Sequence, residues 1–121
     1  MGKRILIVDD ARMMRLMLRN ILEDAGYEIV GEAETGTEAL IKYSLLKPDL
    51  VLLDIILPEI EGNVVLGRIL KQNPDAKILI ISAVGQRLLV DKALKSGAAG
   101  YIVKPFNPQD VLNEVRRILG E

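Results

Sequence analysis

The chain contains no cysteine and no histidine. Without cysteine there is no disulfide framework, no thiolate zinc site and no thiol nucleophile. Without histidine a Ser-His-Asp triad is excluded, and the usual general base and metal ligand are missing. Any resident metal must therefore be held by oxygen, which favours magnesium, calcium or manganese. Tryptophan is absent as well and aromatic residues make up only 3%, which leaves little from which to build the aromatic sandwich of a flavin site. Neither G-x-x-x-x-G-K-[ST] nor G-x-G-x-x-G occurs, so no standard glycine-rich phosphate loop is present. Charge of one sign is lacking too: 16 Lys+Arg stand against 17 Asp+Glu, a net charge of -1, which argues against bulk electrostatic capture of nucleic acid. No apolar run approaches the roughly 18 residues of a membrane span. The run Ile5-Leu6-Ile7-Val8 is too short for the core of a signal peptide and ends in two aspartates. The expectation is a cytoplasmic protein with no nucleic-acid or membrane partner.

What is present is the composition of a folded domain. Of 121 residues, 50% are hydrophobic and 27% charged, enough apolar surface for a core without staples. Four short runs rich in Ile, Val and Leu stand out: Ile5–Val8, Leu50–Leu53, Ile78–Ile81 and Tyr101–Val103. Unbroken rather than alternating apolar character predicts strands covered on both faces. A weaker run, Glu28–Gly31, predicts a fifth strand nearer an edge. Between them lie helical signals. Met14, Met17, Leu18, Ile21, Leu22 and Ala25 form one stripe over 12–25, stopped by Gly26. Thr35 with Glu38 predicts a capped helix to about Leu46. Further helices are expected from Gly62 to Gln72 and from Arg87 to Ser96, the second closed by Gly97. The last begins with Asn107 as N-cap and Pro108 at the first helical position, and carries Val111, Leu112, Val115, Ile118 and Leu119 inward. The order βαβαβαβαβα predicts an α/β fold, a doubly wound five-stranded parallel sheet with helices on both faces.

In such sheets ligands bind beyond the carboxyl ends of the strands. The polar residues found there are Asp9-Asp10 after the first strand, Asp54 after the third, Ser82 after the fourth and Lys104-Pro105 after the fifth. Crowded carboxylates repel one another and shift their pKa values upward unless a cation relieves them. Magnesium suits one or two protein carboxylates together with waters and a phosphate oxygen. Lys104 and Ser82 offer further contacts to a phosphoryl group, and one carboxylate is left free to attack phosphorus.

Four segments carry a family resemblance: ILIVDD at 5–10, VLLDIILPEIEG at 51–62, ILIISAVG at 78–85 and GYIVKPFNP at 100–108. In this order, each at a strand end, they resemble the receiver domain of two-component response regulators, in the stand-alone form used in chemotaxis. The resemblance covers essentially the whole chain and implies a single receiver over 1–121 with no output domain. It implies the flavodoxin-like strand order 2-1-3-4-5. It further implies that Asp54 is the phosphoacceptor, that Asp10 binds magnesium directly (manganese substituting) and Asp9 mainly through water, and that the backbone carbonyl of Ile56 completes the protein ligands. Ser82 and Lys104 would contact the phosphoryl group, the Lys104-Pro105 bond would be cis, and Tyr101 would be the switch aromatic. The activity implied is self-catalysed aspartyl phosphorylation from a histidine kinase and slow dephosphorylation. A monomer would then change its affinity for a downstream protein through the 88–118 region, with Leu88, Leu89 and Tyr101 as the docking surface and the flagellar motor switch as the candidate target. Ile56 and Val84, apolar residues two positions after Asp54 and Ser82, would border the path of attacking water.

Other readings compete residue by residue. One of Asp9 and Asp10 is expected to help cap the first helix. Met13, Met14 and Met17 are expected to be helix packing. Arg12 and Arg15 fit either a kinase-guiding surface or a solvated helix face. An aspartate-nucleophile phosphohydrolase would use similar chemistry, but its general acid belongs two residues after the nucleophile, where Ile56 stands. A phosphorelay intermediate and a phosphorylation-independent interaction module remain as alternative functions on the same fold.

Overall fold

The structure is a computed structural model and describes residues 2–121, so Met1, the first residue of the expected domain, lies outside the described residues. Ten elements alternate along the chain: β1 (Arg4–Val8), α1 (Arg12–Asp24), β2 (Glu28–Ala33), α2 (Gly36–Leu46), β3 (Leu50–Asp54), α3 (Gly62–Gln72), β4 (Ile78–Ala83), α4 (Arg87–Ser96), β5 (Gly100–Lys104) and α5 (Pro108–Leu119). The five strands form one parallel sheet in the order β2-β1-β3-β4-β5. The chain leaves β1 toward β2 on one side and reaches β3 on the other, so the loops after β1 and β3 open together at the switch point.

Strand side chains alternate between the two faces, and both faces are buried. Leu6, Val8, Val51, Leu53, Ile78 and Ile80 pack with Ala39 and Tyr43 of α2, Val65, Leu66 and Ile69 of α3, and Val90 and Ala93 of α4. Ile5, Ile7, Leu50, Leu52, Leu79, Ile81 and Ile102 pack with Leu18 and Leu22 of α1 and Val111, Val115, Ile118 and Leu119 of α5. This accounts for the unbroken apolar runs: neither face of the central strands meets water. Each fully buried Leu or Ile contributes on the order of 1.5–3 kcal/mol, from strands and helices alike.

Local signals act as the sequence indicates at two helix starts. Thr35 Oγ1 accepts from Glu38 N at 3.1 Å, and Asn107 Oδ1 accepts from Asp110 N at 2.8 Å. Glu38 closes its own turn one residue further back than a full capping box, accepting from the Glu34 N–H at 2.7 Å. The second strand is longer than its apolar run, continuing to Ala33 through Glu32, because pairing with β1 and not hydrophobicity holds an edge strand in register.

The expectations for α1 need correction at three points. Its N-cap is Ala11, with no side-chain cap, so neither Asp9 nor Asp10 caps it. Asp9 Oδ1 instead accepts from the Ala11 N–H at 2.9 Å, a tight Asx turn made just before the first helical turn. Of the three methionines only Met14 packs against the core, while Met13 and Met17 are exposed. Arg15 is buried, so it is not part of a solvated face or an open docking surface. The helical wheel explains the exchange. At about 100° per residue, Arg15 stands only about 20° from Leu22, whereas Met17 stands about 100° from Leu18. Among the described residues no helix is long and apolar enough to cross a membrane.

Candidate functional site

The sequence-derived candidates converge. Asp9 follows β1, Asp54 ends β3, Ser82 lies near the end of β4 and Lys104 ends β5, all on one rim. The hydrophobic strands carry these polar groups to the edge of a dry core, so Asp9, Asp54 and Ser82 are buried while Asp10 is exposed. One carboxylate oxygen from each of Asp9, Asp10 and Asp54 lies within 4.8 Å of the others.

Lys104 bridges the acidic pair. Its Nζ donates to Asp9 Oδ2 at 3.0 Å and to Asp54 Oδ2 at 3.3 Å. The other oxygen of Asp54 accepts from the Ile56 N–H at 3.2 Å. Burial and, next, the charge of Asp9 push the Asp54 carboxyl above its ordinary range, against the opposing pull of the Ile56 N–H and Lys104. Burial pulls the Lys104 ammonium down, but its hydrogen bond to Asp9 and the charges of Asp54 and Asp9 outweigh it, leaving the group above its ordinary value. One ammonium does not discharge three carboxylates. The remaining strain, the all-oxygen donor set and the exposed side of Asp10 fit a hard divalent cation.

Lys104 precedes Pro105 through a cis peptide bond, as the resemblance implies. Ser82 Oγ reaches only the Ile102 carbonyl, at a long 3.5 Å. The loop after Asp54 returns onto the site at Gly62, whose N–H donates to the Ile55 carbonyl at 3.1 Å. A Cβ there would meet the carbonyl oxygens of Asp54 and Ile55 at 2.6 Å each, so glycine is required by close approach.

Tyr101 is half-buried and packs against the α2–α4 side of the core, while its hydroxyl accepts from Arg87 Nη1 at 3.0 Å. The Arg87 guanidinium stands 5.6 Å from the ring centroid and also pairs with Asp91 at 3.0 Å. Tyr101, Ser82, Arg87 and Val90 share a cleft of about 210 Å³ beside the loop after β4. In the 88–118 region Leu88 is 85% exposed, but Leu89 packs against the core and contributes less surface than expected. Ile56 and Val84 are both exposed on the rim.

Arg15 was missed as a site residue. Its guanidinium donates from Nη1 to the Asp9 carbonyl at 2.6 Å, from Nε to Glu32 Oε1 at 2.9 Å and from Nη2 to Glu34 Oε1 at 3.1 Å. Its place one heptad before Leu22 was the available signal.

The parallel 2-1-3-4-5 sheet and the acid-and-lysine rim at its switch point agree with the sequence comparisons. The chain belongs to the response regulator receiver domain family, which it matches over residues 5–116. It is 50% identical over 118 residues to the chemotaxis protein CheY of Thermotoga maritima, covering 98% of each chain. The chemotaxis protein CheY of Bacillus subtilis is 44% identical over 119 residues, covering 98% of this chain and 99% of that one. Among solved structures, the CheX-CheY-BeF3-Mg complex of Borrelia burgdorferi superposes with a TM-score of 0.92 at 36% identity, over 96% of this chain and 88% of that one. Within the family the chain functions as a chemotaxis response regulator of a two-component system.

Proposed function

We propose that Asp54 accepts a phosphoryl group from a kinase phosphohistidine. The observation that carries this reading is Asp54 itself: buried to 6% exposure, held by the Ile56 N–H and Lys104, and set beside two further carboxylates. An Asp54 carboxylate oxygen attacks phosphorus, the phosphorus–nitrogen bond breaks, and the imidazole leaves with the bonding pair. Lys104 holds Oδ2, orients the carboxylate, and supplies positive charge where phosphoryl oxygens arrive. Ser82, weakly bonded in this state, is free to turn its hydroxyl toward a phosphoryl oxygen. Asp9, Asp10 and Asp54, with the Ile56 carbonyl, would hold magnesium or manganese. When bound, such an ion supplies charge neutralisation for the phosphoryl oxygens.

The readout is a population shift. Drawing Ser82 toward phosphate would open space in the cleft beside Tyr101, favouring an inward ring at the expense of the Arg87 bond. The 88–118 surface would then change its affinity for a downstream protein, with the motor switch as the candidate. Support comes from the chemotaxis relatives and from the CheX-CheY complex as a neighbour in structure. The reading places the protein in the cytoplasm as a monomeric single receiver. Ile56 and Val84 would set acyl-phosphate lifetime by controlling water access, so Ile56→Asn should alter the dephosphorylation rate.

The test is intact-protein mass after incubation with a small phosphodonor, with and without magnesium. The expected result is a magnesium-dependent gain of one phosphoryl group that Asp54→Ala abolishes. No gain in well-folded wild-type protein, even with its kinase, would overturn the reading.

A further inference from the structure

The loop that carries Asp9 and Asp10 is short and lies between an apolar strand and a helix without a side-chain cap. Its main chain is nevertheless fixed on both sides of Asp9. The Asp9 N–H donates to the Ala33 carbonyl at the end of β2, at 3.0 Å. The Asp9 carbonyl accepts from Arg15 at 2.6 Å. That carbonyl belongs to the peptide joining Asp9 to Asp10, so holding it fixes the plane from which the Asp10 side chain departs.

The guanidinium doing this has a side chain only 7% exposed. Burying it is costly unless its donors are used, and two of them are taken by Glu32 and Glu34. Glu32 is itself held by Arg19 at 2.8 Å, and its carbonyl accepts from Lys42. The clamp therefore ties the acidic loop to β2, an edge strand with β1 as its only neighbour in the sheet. A planar fork can serve three acceptors in different directions; an ammonium on a flexible stem cannot hold the same geometry.

We propose that Arg15 is a positioning residue for divalent-cation binding: by gripping the Asp9 carbonyl it sets where the Asp9 and Asp10 carboxylates stand and so raises the affinity of the rim for the ion. The proposal rests on the reading of Asp9, Asp10 and Asp54 as the metal site. Two effects of Arg15 on that site have opposite signs. Its positive charge repels an incoming cation, so charge alone makes its removal tighten binding. Its positioning role makes removal weaken binding.

Binding of Mn²⁺ to the full chain, read from the free-ion electron paramagnetic resonance signal, separates them. Arg15→Lys keeps the charge and loses the fork; Arg15→Met loses both. Both are expected to weaken Mn²⁺ binding about tenfold, the usual range for supports of metal ligands. Glu32→Gln, which removes one arm but leaves the Asp9 carbonyl held, is expected to lower the melting temperature while leaving Mn²⁺ affinity close to that of the wild type. Tighter binding by Arg15→Met, wild-type affinity in Arg15→Lys, or equal losses in Arg15→Lys and Glu32→Gln would each overturn the proposal. If Arg15→Met does not fold, the lysine variant decides. Wild-type protein that binds Mn²⁺ no better than Asp10→Asn would overturn the metal-site reading, and the proposal with it; strong wild-type binding that Arg15→Lys leaves unchanged would overturn the proposal alone.

Discussion

The ammonium of Lys104 lies 3.3 Å from Oδ2 of Asp54, a residue 50 positions earlier in the chain, and the same ammonium reaches Asp9 at 3.0 Å. This contact joins β5 to β3 across β4, which separates them in the sheet. It is the only positive side chain paired with either buried carboxylate among the described residues. Replacing it should therefore leave two desolvated carboxylates in mutual repulsion. Lys104→Met is expected to lose about 1.5–3 kcal/mol of stability in metal-free buffer, the usual scale for hydrogen bonds to charged groups. Magnesium should restore part of the loss. Urea unfolding with and without the ion measures both, and a variant as stable as wild type without metal would remove the neutralising role assigned to Lys104.

Gly62→Ala should be felt at Asp54 although the two are eight residues apart. The added Cβ would strike two backbone carbonyls, those of Asp54 and Ile55, and backbone cannot rotate away as a side-chain tip does. Overpacking of this kind costs about 1–3 kcal/mol. Lower stability together with slower phosphorylation is expected, read by urea unfolding and by mass after phosphodonor treatment. Normal phosphorylation in a destabilised variant would show that the loop relaxes away from the site.

Acid stability should depend on Glu32. Burial pushes its carboxyl up, but hydrogen bonds and charge from Arg19 and Arg15 outweigh this and hold it below its ordinary value. A depressed carboxylate contributes stability above its unfolded pKa and loses it as pH falls through the lowered folded value. Glu32→Gln should thus be less stable than wild type at neutral pH, by about 1 kcal/mol. The gap should close in acid as wild-type Glu32 takes up its proton. Melting temperatures across that window would show it; a constant gap would mean that the glutamate acts by packing alone.

At the other end of the pH scale, Tyr27 should hold its proton late. Burial and its hydrogen bond to Glu121, at 2.7 Å, push the phenol up to about 12. A raised folded pKa means the associated stability is intact below the unfolded value and is lost as pH rises through about 12. Ultraviolet titration should show a phenolate component near 12 that is missing in Tyr27→Phe and moved lower in Glu121→Gln. An unmoved component in Glu121→Gln would leave burial as the sole cause.

The sequence by itself determined the fold class and which polar residues share the rim at the strand ends. Unbroken Ile/Val/Leu runs can bury two faces only in a covered parallel sheet, and Asp9, Asp10, Asp54, Ser82 and Lys104 each stand at the end of such a run, where strand direction sends them to one rim. Thr35 and Asn107 were readable as caps because a cap is satisfied within three residues. The tertiary structure alone decided relationships that cross between elements. That Arg15 is buried depends on Glu32 of β2 and Glu34 just beyond its end arriving to meet it; no local rule places those charges, and an arginine on a polar-looking helix reads as solvated. That Asp9 gives one oxygen to an Asx turn and the other to Lys104, three strands away in the sheet, is likewise a meeting between elements. That Leu89 faces the core while Leu88 faces water is set by how α4 rolls against β4 and α3. Periodicity reports which residues must leave water; only packing reports which neighbours they meet.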